Sequence, residues 1–318
     1  MTQRIEVARF GGPDVLTPVS GPEPVAEPGQ AVIEVHAADV LFLDTLIRSG
    51  RAAQWFPVRP PYVPGSGVAG TVPAEAGRRV IAQTGQAGGY AEHVAVPASR
   101  LIPVPDAVDL RDAAAVLHDG ATALGLAAAT GFRAGEWVLV LGAAGGMGLL
   151  LVQLARAAGA RVAGAARGPA KRRRILAAGA EMVADYSEPA WTGEILKATG
   201  GAGPDLVLDG AGGALGRAAF AITADGGRFS AHGAASGGFA PVDRAEARRR
   251  GITVQGIEQV QFGPGEHERF AERALREVAA GRMTPIIGQT FPLARAADAH
   301  AALENRSAAG KTLLTVAG

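Results

Sequence analysis

The spacing of hydrophobic positions along this chain changes near residue 109. Before it, runs such as VARFGGPDVL, PGQAVIEVHAADV, RRVIAQTG and YAEHVAVPASRLIPVP are short, alternating or β-branched, and cut by Gly and Pro. That pattern predicts an irregular all-β region. From Asp109 the stretch LRDAAAVLHDGATALGLAAATG is helical in composition and ends at Gly131. Strand candidates WVLVLGA, RVAGAAR, EMVADY, DLVLDGAG, GGRFSAHG and TVQGIE then alternate with helix candidates LLLVQLARAAG, AKRRRILAAG, WTGEILKATG and GALGRAAFAITA. Repeated βα units imply a parallel sheet covered on both faces. The tail holds a charged helix, EHERFAERALREVAAG, then AADAHAALENRS and a last strand, KTLLTVA.

Residues 137–155 carry no formal charge, long enough to raise the question of a membrane span. Gly142, Gly145, Gly146 and Gly148 fall in the middle, and each weakens a helix by roughly 1 kcal/mol relative to alanine. A β-prone run precedes them and a Leu- and Ala-rich run follows, so strand, glycine turn and helix is the reading adopted.

Composition narrows the class. The chain has 318 residues, 48% hydrophobic and 19% charged, enough for a full core in two domains or one large one. A net charge of +1 provides no global field for nucleic acid or an anionic membrane, so neither is expected as a partner. MTQRIEVARF lacks the apolar core of a signal peptide, and a soluble, cytoplasmic protein is expected. Without cysteine there is no disulfide, no thiolate nucleophile and no cysteine-ligated metal.

In AAGGMG, Ala143, Gly145 and Gly148 occupy the three positions of a G-x-G-x-x-G dinucleotide fingerprint. The first makes the tight turn, the second admits the pyrophosphate, and the third lets helix pack on strand. Alanine at the first departs from the strict motif. The pyrophosphate is expected at the following helix N-terminus, where unpaired N–H groups favour an anion. An NAD-specific fold places an acid about 20 residues after this loop. Here GAARGPAKRRR stands instead, with no acid between Arg156 and Glu181. Arg167 and Lys171 suit a 2′-phosphate, which points to NADPH, while Arg172, Arg173 and Arg174 read as the solvated start of a helix.

Together these segments resemble the zinc-free quinone oxidoreductase branch of the medium-chain dehydrogenase/reductase superfamily. The resemblance covers nearly the whole chain and is carried by LDTLIRSG, GSGVAGTV, GGYAEHVAVP, HDGATAL, AAGGMG, AAGAEMVADY and ENRSAAGKTLL. It implies a GroES-like, mostly β catalytic domain over residues 1–118, completed by 263–318. A Rossmann NADPH-binding domain over 119–262 is inserted between these parts, with the active site in the cleft. Carried over by position, it implies that Thr122 touches the cofactor and that Ala144, Gly145, Gly146 and Met147 lie at the pyrophosphate. Lys171 and Tyr186 are then expected at the adenosine phosphate, His232, Gly233 and Ala234 along the nicotinamide ribose, and Arg306 near the cofactor or as an ordinary exposed charge. A twofold dimer paired along an edge strand, Ile252 to Glu258, is also implied; that edge carries little of the charge or proline that blunts open strands.

Zinc relatives of this superfamily carry a catalytic Cys, a Gly-His-Glu segment and a four-cysteine lobe. This chain has Gly65-Ser66-Gly67 in that place and scattered histidines, so no metal is expected. Acceptors that delocalise negative charge, such as quinones and α,β-unsaturated carbonyls, need no Lewis acid, and a quinone or enone is the expected small-molecule substrate. Leu41 and Leu46 stand where the family often has Asn and Tyr, and Trp55 and Tyr62 are candidates for an aromatic substrate wall. His118 is a candidate proton donor, since histidine ionises in the useful range, and Asp44 is a second candidate. Either residue also fits a structural role, at a helix start and in a turn. An enoyl or alkenal reductase and a catalytically silent nucleotide-binding protein are the alternative functions.

Overall fold

The computed structural model describes residues 1–263 and 265–316. Pro264, within the uncharged stretch QVQFGPG, lies outside them. The chain forms two compact units, Met1–Ala121 with Glu268–Gly318, and Thr122–His267.

The first unit opens with β1 (Thr2–Val7) and β2 (Leu16–Gly21), an antiparallel pair. There follow β3 (Gln30–Val40), α1 (Phe42–Arg48), β4 (Gly67–Val72), β5 (Arg78–Gln83), β6 (His93–Pro97), β7 (Ile102–Pro103) and α2 (Leu110–Leu117). β3 pairs antiparallel with both β4 and β6. Its buried positions include Ile33, Val35, Ala37 and Asp39; three of these are apolar and build the core, and the fourth is a carboxylate. The hydrophobic pattern assigns no helix to residues 42–48, yet α1 forms there. The Asp44 carboxylate accepts the Leu41 N–H at 2.9 Å, which satisfies a donor that the first turn would leave bare.

Chain order continues with α3 (Asp119–Thr130), so the segment read as a single helix is two. The joint is His118, at φ −95° and ψ −50°, whose ring turns to Asp39. The second unit then holds β8 (Trp137–Leu141), α4 (Gly146–Ala157), β9 (Arg161–Ala166), α5 (Pro169–Ala177), β10 (Met182–Asp185) and α6 (Trp191–Ala198). After these come β11 (Leu206–Asp209), α7 (Gly213–Ala221), β12 (Arg228–Ala231), α8 (Arg244–Arg249) and β13 (Thr253–Gln255). All six strands are parallel, in the order β10-β9-β8-β11-β12-β13. This is a doubly wound sheet whose order reverses between β8 and β11. Every residue of β8 is buried, as helices on both faces require. α8 was not foreshadowed by periodicity; Asp243 caps it, accepting from the Ala245 and Glu246 amides. The expected edge strand over 252–258 is shorter in the structure. Only Thr253–Gln255 pair with β12, and Ile257–Val260 turn away as a 3₁₀ helix.

The tail supplies α9 (Glu266–Ala279), β14 (Ile287–Pro292), α10 (Ala296–Glu304) and β15 (Lys311–Thr315). β15 pairs antiparallel with β3 and parallel with β14, giving the sheet order β14-β15-β3-β4-β5-β7. The last strand of the chain thus completes the sheet that the first hundred residues begin.

Candidate active site

The strand–turn–helix of the second unit places its glycines for distinct reasons. Gly142 takes φ +69° and makes the turn out of β8, while Ala143 adopts no left-handed angle. The tight turn expected at Ala143 therefore belongs to Gly142, and alanine at 143 carries no strain there. A Cβ at Gly148 would lie 2.5 Å from the Gly142 carbonyl oxygen and 2.8 Å from the Ala143 Cα, so glycine is required for helix α4 to pack. Gly145, extended and exposed, precedes α4 with no side chain capping its N–H groups and no acid in the first turn. Ala144 is buried, and Gly146 and Met147 are half-buried at the same helix end. Bare amides at this end fit an anion.

Beside it, β9 and β10 are in register with Ala166 opposite Asp185, which brings the loop carrying Arg167 alongside the segment carrying Tyr186. Arg167 is exposed, and Lys171, in the first turn of α5, is half-buried. The structure also brings in an acid that the local sequence does not contain. Asp185 accepts the Gly168 N–H at 2.8 Å and the Ser187 N–H at 3.0 Å, so its oxygens hold the turn at Gly168, φ +83°.

At the end of β12, His232 is buried and joined in a chain of bonds. Gln259 Nε2 donates to the Gly256 carbonyl at 2.9 Å and to Ser230 Oγ at 3.0 Å, and Ser230 Oγ lies 3.0 Å from His232 Nδ1. Burial pushes the His232 ionisation down to about 4 and keeps that ring neutral. His232 Nε2 and Ser236 Oγ are buried without hydrogen-bond partners among the described residues. Orphaned buried polar atoms at the carboxyl end of a doubly wound sheet fit a polar ligand such as the ribose or carboxamide of a nicotinamide nucleotide. Gly233 lies so close to Gly210 that a Cβ would be 2.2 Å from its carbonyl oxygen, and Ala234 follows, half-buried. Thr122 is half-buried on α3.

In the first unit the candidate residues separate into two groups. Asp44 is 3% exposed; besides the Leu41 amide it accepts Tyr90 O–H at 3.0 Å, and Tyr90 Oη also lies 3.0 Å from His300 Nε2. Burial raises the Asp44 carboxyl to about 6 and pushes His300 down to about 3, the latter helped by Arg48. Arg48, itself enclosed, pairs with Glu304. Asp44 is thus in the interior, where it holds α1 as a turn residue does. His118 instead keeps part of its ring open, with Nδ1 2.7 Å from Asp39 Oδ2 and Nε2 3.1 Å from Gln83 Nε2. Leu41 and Leu46 are half-buried on either side of Asp44. The two aromatic candidates have different surroundings: Trp55 is 66% exposed, whereas Tyr62 exchanges backbone bonds with Val7 and packs on the core. Arg306, in the first unit, is exposed and left-handed at φ +56°. Asp39, Gln83 and Lys311 were not singled out from sequence. An acid on the otherwise apolar inward face of β3 was the available signal for Asp39.

A GroES-like β unit joined to a doubly wound nucleotide sheet defines the medium-chain dehydrogenase/reductase class. Residues 27–106 match the family model described as "Alcohol dehydrogenase GroES-like domain", and 146–280 match "Zinc-binding dehydrogenase". The quinone oxidoreductase of Sus scrofa is 31% identical over 98% of this chain and 96% of its own length. A mycobacterial structure complexed with NADPH is 34% identical with a TM-score of 0.88, covering 98% of this chain and 99% of that one. The quinone oxidoreductase of Thermus thermophilus, also solved with NADPH, is 38% identical with a TM-score of 0.81 over 98% and 99% of the two chains. This chain belongs to the quinone oxidoreductase branch of the superfamily and is an oxidoreductase.

The zinc in one family description does not fit these residues. There is no cysteine, and among the described residues no group of three or more His, Asp or Glu could hold a metal ion. A Cβ at Gly67, where that segment has its glutamate, would lie 2.6 Å from Leu117 Cδ2 and 2.7 Å from His118 Cε1, so this position has no room for a carboxylate side chain. Among the described residues no helix is long and apolar enough to cross a membrane.

Proposed function

We propose that this protein is a zinc-independent, NADPH-dependent reductase of quinones or related conjugated carbonyls. The observation that carries the reading is the second unit's carboxyl-end geometry: a bare α4 N-terminus, the glycine turn, and the orphaned His232 and Ser236 polar atoms. NADPH, when bound, supplies a hydride. The backbone at Ala144 to Met147 would hold its pyrophosphate, Arg167 and Lys171 its 2′-phosphate, with Tyr186 beside them. His232, neutral, would hydrogen-bond through Nε2 to the ribose or carboxamide, and Thr122 would contribute a hydroxyl. An acceptor that spreads its new negative charge over a conjugated carbonyl needs no metal, only orientation and exclusion of water. Leu41 and Leu46 would offer such an acceptor an apolar contact. Relatives solved with NADPH support the cofactor.

The test is NADPH oxidation by the purified protein against a panel of quinones and enones. Turnover with members of either class supports the reading, and tight NADPH binding without turnover of any acceptor would leave the silent nucleotide-binding alternative. Two chains pairing along β13 in a twofold dimer belong to the same reading. Sedimentation at micromolar concentration tests that part, and a fully active monomer overturns it.

A further inference from the structure

The first unit encloses a set of charges for which hydride transfer has no use. Lys311 Nζ, on β15, lies 3.5 Å from Asp39 Oδ2 on β3 and 3.4 Å from Asp119 Oδ2 at the start of α3. Asp39 and Lys311 are 0% and 4% exposed. Burial pushes the Asp39 carboxyl up, but His118 and then Lys311 outweigh it and hold it below its ordinary value. Burial likewise pushes Lys311 down, while Asp119 and Asp39 more than restore it. Counted formally, two carboxylates and one ammonium leave one negative charge, and His118 lies against one of the two carboxylates, Asp39. A proton on the imidazole neutralises that charge. Asp44, on α1, and Tyr90, which precedes β6, also act on this set.

Nδ1–H donates to the Asp39 carboxylate, so Nε2 is the nitrogen left to exchange a proton. Gln83, on β5, stands 3.1 Å from Nε2. Its amide can donate to the neutral nitrogen or, turned half-way round, accept from the protonated one. Gly67 keeps the space clear, since a Cβ there would sit 2.7 Å from His118 Cε1 and 3.0 Å from Asp39 Oδ1. A purely structural ion pair accounts for Asp39, Lys311 and Asp119. It does not account for an imidazole 15% open to solvent, fixed at one nitrogen and served by an amide at the other.

We propose that His118 is the catalytic proton donor of this enzyme and that Asp39, held by Lys311 and Asp119, is its positioning residue. The proposal rests on the reductase reading above. The acceptor gains a hydride at carbon, its π electrons move onto the carbonyl oxygen, and that oxygen takes the proton from His118 Nε2. NADP⁺ and the reduced acceptor leave, and solvent returns a proton to the ring, so that one NADPH and one proton are consumed per acceptor.

The experiment follows NADPH oxidation by the full chain, with a water-soluble quinone and a cyclic enone, from about pH 5 to about 8. Wild type, His118→Gln and Asp39→Asn are compared, with NADPH affinity measured by nucleotide fluorescence. Wild-type kcat is expected to fall as pH rises through one ionisation. His118→Gln should lose about 100- to 10,000-fold in kcat together with that ionisation, at near-unchanged NADPH affinity. Asp39→Asn should lower kcat at near-unchanged KM and NADPH affinity, because the ring is then held less firmly at Nδ1. Imidazole ¹⁵N spectra of the wild type give a readout independent of variant folding: neutral His118 should carry its hydrogen on Nδ1. An unaltered pH profile in His118→Gln, or a neutral ring protonated on Nε2, overturns the proposal while leaving an active wild type and the reductase reading intact. A wild type that reduces neither acceptor overturns both, and is distinguished by that inactivity.

Discussion

The two units of this protein place their chemistry in different materials. In the second it is written in backbone, as a glycine turn, an uncapped helix end and adjacent amides within residues 142–148. In the first it is written in buried side chains, and the partners stand far apart: Lys311 is 272 residues from Asp39, and Tyr90 is 210 from His300. The difference teaches where each unit is vulnerable. A backbone site fails by steric intrusion, whereas a network of enclosed charges fails by losing a counter-ion.

The largest effect should come from intrusion. Gly148→Val would drive side-chain atoms into the Gly142 carbonyl, and we expect loss of nucleotide binding and of cooperative melting in the second unit, measured by NADPH fluorescence and calorimetry. Gly145→Ala is the contrast, because its Cβ would meet the Gly142 oxygen at an ordinary 3.5 Å, and its melting temperature should match wild type. Equal damage from both would erase the distinction drawn here.

Acid should come next. His300 in the first unit and His232 in the second are held neutral by burial, with ionisation pushed to about 3 and about 4. The unfolded chain therefore binds more protons below about 6.5, and stability should fall from there as pH drops, until the folded-state values of about 4 and about 3 are passed. Asp44 works in the opposite sense. Its carboxyl is raised to about 6, so its contribution is whole below the ordinary 3.8 and is lost as pH climbs through about 6. Denaturant melts of Asp44→Asn across this range should thus show a steeper acid-side loss than wild type, and a shallower one would contradict the assignment.

Glu304→Ala would leave the enclosed Arg48 guanidinium without its counter-ion. Because Glu304 is itself 25% exposed, we expect about 2 kcal/mol of destabilisation by urea titration, less than for a fully enclosed pair. Arg167→Asp with Lys171→Ala should weaken NADPH about tenfold more than NADH, by loss of charge-assisted bonds to the extra phosphate. Equal weakening of both nucleotides would remove the 2′-phosphate assignment. The smallest effect is none: exhaustive chelation should leave turnover unchanged, and one tightly bound zinc per chain would count against the metal-free reading.

The contrast also explains what the sequence could tell. Both faces of the parallel sheet are buried, so β8 reads as an unbroken apolar run, and Gly142 to Gly148 lie within seven residues of one another. Contiguity made the nucleotide end legible, although the turn belongs to Gly142 and not to Ala143. α1 was invisible because its seven residues start at a cap supplied by Asp44 from within the helix itself. The break between α2 and α3 was hidden for a related reason. His118 is set there by Asp39, a partner on a distant strand. Asp185 escaped notice because register, and not chain distance, sets it beside Gly168.

The return of β15 to β3 has a consequence for biosynthesis. A ribosome delivers the chain from its amino end, and domains generally fold as they emerge. The whole of Thr122–His267 is available to fold before Lys311 is made, but Asp39 and Asp119 must wait for it. During that interval the first unit holds two carboxylates bound for the interior without the ammonium that neutralises one of them. A nascent chain stalled or terminated before residue 311 therefore carries a finished nucleotide fold beside an unfinished β sheet whose strand β3 lacks a neighbour, and such an unpaired strand edge is the surface that chaperones and proteases meet first.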